Sequence, residues 1–288
     1  MDRAAAPGIV RTKHAGAAVN PLVSGTGTPP IPEAQAWMAR YDGAYGPLLN
    51  MSQAVPGYPP HPAFVKRLAA AATAIETSKY GLITGDADLR AAYARHLSGF
   101  YGAPIEAADI AITAGCNLAY FAAAMLVAKA GDAVLLPVPW YFNHRMTLDM
   151  FGVEGRPLPC DPARGFVPDP AGAERLIDER VKAVVLVTPN NPTGAVYPDE
   201  TLLAFKDLCR RRGLWLIVDE TYRDFLPPQA PRPHPLFADP DWRSTVIQLY
   251  SFSKAYSIPG HRLGSIVADA SVIAQVTKIL DCIQICAP

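Results

Sequence analysis

The sequence predicts an α/β fold, a three-layer α/β/α sandwich built on a mostly parallel sheet. Three observations carry this. Short β-rich apolar runs alternate with helical stretches from about Ala63 onward, and such alternation implies parallel strands covered on both faces. Of the 288 residues, 50% are apolar and 18% charged, enough to bury a large core. Polar and aromatic clusters follow directly after the strand-like runs, where open α/β sheets hold their ligands.

The first 30 residues, rich in Ala, Gly, Thr and Pro, read as an extended arm, followed by a short amphipathic helix over Glu33 to Tyr41. Residues 1–50 thus form an arm and helix, and 51–288 one large domain. Pro56-Gly57-Tyr58-Pro59-Pro60 is a loop. Helical periodicity covers 63–75, 87–100, 118–129, 171–179 and 199–212, and strands are expected at 110–113, 134–136, 184–187, 214–218, 246–249 and 265–267. No internal repeat or low-complexity segment interrupts the pattern.

Formal net charge is zero with a pI near 7.0, and no basic run is present, so neither a nucleic-acid nor an anionic-membrane surface is supported. Cys116, Cys160, Cys209, Cys282 and Cys286 are odd in number and scattered, without CxxC pairing. That argues against a disulfide scaffold and against a metal centre, and for a reducing cytoplasm. No segment has the length and apolarity of a signal peptide or a bilayer span.

Five strand ends deliver chemistry to one edge. Gly115-Cys116-Asn117 follows the first strand; Gly115 opens a helix whose free amides face an anion at its positive end. Trp140 or Tyr141 after the second can stack on a flat heterocycle or serve as a core aromatic. His144 reads as a core histidine, or as a hydrogen-bond partner of Asp219. Asn191, in Asn191-Pro192-Thr193-Gly194, can donate its amide to an oxyanion, and Tyr222 its phenol to the same atom. Asp219 ends a buried strand, where an ionised carboxylate needs a positive partner such as a pyridinium nitrogen, or else serves as a cap or structural ion pair. Lys254 lies among Ser251, Ser253 and Arg262, equipment for an amine nucleophile beside a phosphate dianion. Neighbouring cations lower the amine pKa and favour imine formation with a carbonyl.

In this order, Tyr80-Gly81…Gly85…Leu89-Arg90, Asn191-Pro192-Thr193-Gly194, Asp219-Glu220-Thr221-Tyr222 and Ser251-Phe252-Ser253-Lys254…Arg262 resemble the fold-type I pyridoxal-phosphate enzymes, and within them the class I/II aminotransferases. The match runs from about Asn50 to the end. The resemblance implies the large domain of that fold and pyridoxal 5'-phosphate as cofactor. Lys254 would form the Schiff base, Asp219 pair with the ring nitrogen, Asn191 and Tyr222 hold the ring oxygen, and Tyr141 stack on the ring. Ser251, Ser253, Arg262 and the amides of Cys116 and Asn117 beyond Gly115 would hold the phosphate. Tyr80 would reach the phosphate of a neighbouring subunit, implying a homodimer, and Gly57 matches a position near the substrate carboxylate. Amino acids and 2-oxo acids would be the substrates.

Relatives carry small or hydroxyl side chains where this chain has Cys116-Asn117. They also continue past the position of Pro288 with a small domain of ~100 residues. The expectation is therefore an incomplete small domain and poor solubility, with Ile279, Ile283 and Ile285 exposed. Lyase chemistry on the same scaffold, β-elimination or cyclopropane formation, shares the ring-binding residues, and a non-catalytic cofactor-binding protein is the further alternative. Ser251-Phe252-Ser253-Lys254 also fits the Ser-x-x-Lys pattern of penicillin-binding acyl enzymes, but no Lys-Thr-Gly follows it.

Overall fold

The computed structural model describes residues 17–227 and 232–288, so the first 16 residues of the arm expected over 1–30 lie outside the described residues. Among the described residues seven strands, β1 (Ile110–Thr113), β2 (Ala133–Val138), β3 (Glu154–Pro159), β4 (Val181–Val187), β5 (Trp215–Asp219), β6 (Val246–Ser251) and β7 (Gly264–Val267), form one sheet in the order β1-β7-β6-β5-β4-β2-β3. Four of the six pairings are parallel; β7 runs antiparallel to both β1 and β6. The helices are α1 (Pro21–Gly25), α2 (Pro30–Met38), α3 (Pro62–Ala72), α4 (Ala87–Tyr101), α5 (Cys116–Val127), α6 (Phe142–Phe151), α7 (Pro170–Arg175), α8 (Asp199–Arg212), α9 (Phe252–Ala255) and α10 (Ala270–Ile283).

The strands alternate with a period of two, which builds a separate core on each face. Val134 and Leu136 of β2, and Ile247 and Leu249 of β6, pack with Tyr120 of α5, Leu148 of α6 and Val276 and Leu280 of α10. Ala133 and Leu135, on the opposite face of β2, pack with Phe205 and Leu208 of α8 and Ala173 of α7. Val246 and Tyr250 face Tyr93, Leu97 and Tyr101 of α4. The three-layer α/β/α expectation holds because nearly every strand residue is buried on one side or the other.

Local chemistry fixed the best-read element. α8 runs over the predicted residues, with Asp199 and Glu200 in its first turn, Arg210 to Arg212 in its last, and Gly213 closing it at φ 66°. Elsewhere the sequence reading needs correction. Part of the supposed extended arm is helical, since Asn20 caps α1 by accepting from the Leu22 amide at 3.0 Å and Pro21 sits at the first helical position. α7 ends at Arg175, four residues before the predicted Glu179, and Asp178 then turns the chain by accepting from the Arg180 amide at 3.0 Å. α6, β3 and α10 were not read as elements. β3 carries two prolines and buries only Gly155 and Leu158, which an edge strand tolerates. On α10, Ile273, Val276 and Leu280 are buried and Ile279 packs partly against the same core, whereas Ile283 at its end is 40% exposed and Ile285, just beyond it, 46%.

Candidate active site

The carboxyl ends of β4, β5 and β6, with the turns after β1 and β2, open onto one cavity of about 500 Å³. Its lining holds Cys116, Asn117, Tyr141, Asn191, Asp219, Tyr222, Ser251, Ser253, Lys254 and Arg262, ten of the residues singled out from the sequence. This follows from topology: parallel strands point their carboxyl ends the same way, so residues more than 130 positions apart meet at one edge.

Asp219 closes β5 and is 4% exposed. Burial pushes its carboxyl pKa up, but the His144 ring and Thr221 outweigh that and hold it below the usual carboxylate range. His144 Nε2 lies 3.3 Å from Oδ2, while the Thr221 hydroxyl and amide donate to Oδ1 at 2.7 and 3.0 Å. His144 is itself buried and stacks on Tyr120 with ring centroids 3.9 Å apart. Of the two roles the sequence left open for His144, the structure selects the partner of Asp219. Thr221 was missed, although an Asp followed two residues later by Thr is the signal of such a turn.

Lys254 sits on α9, a single turn whose start Ser251 caps by accepting from the Ser253 amide at 3.2 Å. Burial first, and then the Arg262 guanidinium, lower the Lys254 amine pKa. Nζ donates to the carbonyl of Ala54, which brings the loop of Ser52, Gln53 and Ala54 over the cavity. A backbone carbonyl leaves no mark in the sequence, so this wall was not foreseen. Pro29 and Ile31 add lining from the start of α2.

Arg262 crosses directly over Gly115. A Cβ at Gly115 would come within 2.2 Å of Nη2, and Gly115 has φ 88°, so only glycine fits there. Gly264 is equally tight, since its Cβ would meet the Cys116 nitrogen at 2.6 Å. Among the described residues the amides of Cys116 and Asn117 have no acceptor. The Asn117 side chain instead accepts from the Tyr141 hydroxyl at 3.3 Å and donates to Asn143 Oδ1 at 3.4 Å, so it braces the aromatic wall. Burial, and next the Asp219 carboxylate, push the Tyr141 phenol up to about 12; the same two causes raise that of Tyr222. Both phenols therefore stay protonated donors at neutral pH. The turn presenting Asn191 is held by Asn190, whose Oδ1 accepts from the Thr193 amide and hydroxyl at 3.1 and 2.8 Å.

Two residues lie apart. Gly57 does not line the cavity; it is exposed, three residues beyond Ala54, because the proline-rich loop runs out over the surface there. Tyr80 is 82% exposed and lines a different hollow, with Gly85 and Cys286 among its neighbours.

The residues fit a phosphorylated pyridine aldehyde. Among the described residues the buried Ser253 hydroxyl has no partner, and it lies next to a guanidinium, two free amides and a cradle that a Cβ would fill. An ionised carboxylate and a lysine of lowered pKa share the same cavity.

The family model for aminotransferase class I and II matches residues 47–286. The chain belongs to this family. Its members use pyridoxal phosphate. The probable aspartate/prephenate aminotransferase of Aquifex aeolicus is 31% identical over 220 residues, 75% of this chain and 56% of that protein. The valine–pyruvate aminotransferase of Mycobacterium tuberculosis is 30% identical over 269 residues, 91% of this chain and 67% of that one. The chain thus spans between half and two thirds of the length of these relatives. Among solved structures, an aminotransferase from Mycobacterium tuberculosis superposes with a TM-score of 0.83 at 28% identity, covering 95% of this chain and 69% of that one. The aspartate aminotransferase of Thermus thermophilus with maleate gives 0.82 at 25%, covering 93% and 69%.

Proposed function

We propose that this class I/II aminotransferase moves an amino group from an amino acid to a 2-oxo acid, with Lys254 holding pyridoxal 5'-phosphate covalently through Nζ. The observation that carries this is the meeting of an ionised buried carboxylate, Asp219, and a lysine of lowered pKa, Lys254, in one cavity beside an anion cradle. When bound, the cofactor supplies a ring that takes up the electrons left when the Cα–H bond of an amino acid breaks.

The chain's residues divide the remaining work. Asp219, kept ionised by His144 and Thr221, holds a proton on the ring nitrogen. Tyr222 and Asn191 donate to the ring oxygen, and Tyr141 packs on the ring face. Ser251, Ser253, Arg262 and the amides of Cys116 and Asn117, entered through Gly115, bind the phosphate. Lys254 Nζ would hold the cofactor's aldehyde carbon and, as an amine of lowered pKa, would move the substrate Cα proton as general base and then acid.

We read residues 51–288 as the cofactor-binding domain, preceded over residues 17–50 by an N-terminal segment that carries α1 and α2. The exposed apolar residues Leu49, Met51, Tyr58 and Tyr80 support a homodimer in which Tyr80 reaches the partner's phosphate. Among the described residues no helix is long and apolar enough to cross a membrane and the five cysteines are free, which supports a cytoplasmic enzyme.

The test is an absorbance spectrum of the protein with pyridoxal phosphate before and after addition of an amino-acid panel. A visible band that Lys254→Ala abolishes and that amino acids discharge to a 2-oxo acid is expected. A band that survives in Lys254→Ala would sink the assignment.

A further inference from the structure

β1 is an edge strand, and an edge strand presents unpaired backbone groups along its outer side. Here the carboxyl end of that side is closed by two groups from distant parts of the chain. The Ile112 amide donates to the Thr84 carbonyl at 2.9 Å. The next two outward groups, the Ile112 carbonyl and the Ala114 amide, are taken by the side chain of Gln284, the residue that caps the C-terminus of α10. Its Nε2 donates to the Ile112 carbonyl at 3.1 Å and its Oε1 accepts from the Ala114 amide at 2.9 Å. The primary amide thus pairs with the backbone on both sides of Thr113 as a neighbouring strand would.

The position of this clamp matters. Ala114 immediately precedes Gly115, whose amide donates back to the Thr113 carbonyl at 2.7 Å and whose carbonyl accepts from the Thr113 hydroxyl at 3.0 Å. Thr113 to Gly115 is the tight turn that aims the free amides of Cys116 and Asn117, and it passes under Arg262 with no room for a Cβ. With clearances this small, sliding Ala114 outward would move the amides away from Arg262 and the Ser253 hydroxyl together. Gln284 is only half-buried and does not line the cavity, so it touches the cup through the backbone alone.

We propose that Gln284 is a positioning residue for the phosphate cup, its side-chain amide completing the edge of β1 and fixing the register of the Thr113–Gly115 turn. The proposal rests on the aminotransferase reading of the cavity, and it makes Gln284 matter for the phosphate and not for the ring.

Binding of pyridoxal phosphate and of pyridoxal, which lacks only the phosphate, to cofactor-free protein separates the two. Gln284→Leu is expected to weaken pyridoxal phosphate roughly tenfold, the scale of one or two lost hydrogen bonds, and to leave pyridoxal unchanged. Hydrogen exchange of the amides over 113–118 in the cofactor-free variant is expected to quicken, since the Ala114 amide loses its acceptor. Gln284→Glu keeps an acceptor for Ala114 and should lose less, and it carries the same comparison if Gln284→Leu does not fold. Equal losses for the two aldehydes, or no loss for either, would overturn the positioning role while leaving the aminotransferase reading intact. Failure of the wild-type protein to bind pyridoxal phosphate would overturn both.

Discussion

His144 Nε2 stands 3.3 Å from Asp219 Oδ2, with both side chains at least 95% removed from solvent. A carboxylate at the end of a buried strand is unfavourable alone, and this contact together with Thr221 makes its ionised form the stable one. His144→Phe should therefore raise the Asp219 pKa and cost about 1–3 kcal/mol at pH 7, the penalty of a buried acceptor that loses its partner. The sign follows from a folded pKa held below the unfolded one: the contribution is full above the ordinary carboxylate range and lost as pH falls through the folded value. Urea unfolding at pH 7 and below pH 4 checks it, and a wild-type–variant gap that failed to narrow in acid would refute it.

Arg262 acts on Lys254 at a distance. Because the guanidinium is the second cause, after burial, of the lowered amine pKa, Arg262→Gln should move the Lys254 titration to higher pH. The amine is neutral above its pKa, so wild-type Lys254 reacts at a lower pH than the variant's. Short pulses with an amine-acylating reagent across pH, mapped by mass spectrometry, give the two midpoints; coincident midpoints would remove Arg262 as a cause.

Gly115→Ala tests the cradle. The added methyl meets Arg262 at 2.2 Å, and a side chain at φ 88° costs a further ~1–3 kcal/mol of backbone strain. Pyridoxal phosphate affinity should fall at least tenfold in titration, with a lower urea midpoint. An unchanged affinity would mean that the turn does not carry the phosphate.

Tyr222→Phe removes a phenol that its surroundings keep protonated. The fold should survive, with a melting temperature within a few degrees of wild type, while the visible band of the bound cofactor shifts and its affinity drops by up to about tenfold. A band identical to that of the wild type would take Tyr222 away from the ring oxygen.

Phe205 of α8 is fully buried against β4 and β5. Phe205→Ala should lower the unfolding free energy by about 3–5 kcal/mol through lost burial and a cavity. Urea denaturation followed by circular dichroism measures it, and a loss under 1 kcal/mol would show that the helix can collapse onto the sheet.

The amino-acid sequence determined the layers and the chemical inventory. Helical and strand periods are local, and the residues that carry charge or a free hydroxyl at strand ends are visible one strand at a time; hence Asp219, Lys254 and Ser253 could be read before any fold was known. Tertiary structure alone decided which partners meet. The wall contributed by Ala54 is a backbone carbonyl, the support of Asp219 comes from a helix 75 residues earlier, and Gln284 pairs with a strand residue 172 positions away. That Gly57 lies outside the cavity lining has the same cause, since a loop's path depends on what it packs against. Hydrogen-bond geometry acts over about 3 Å in space and is indifferent to separation along the chain, so such pairings exist only once the sheet has brought its edges together.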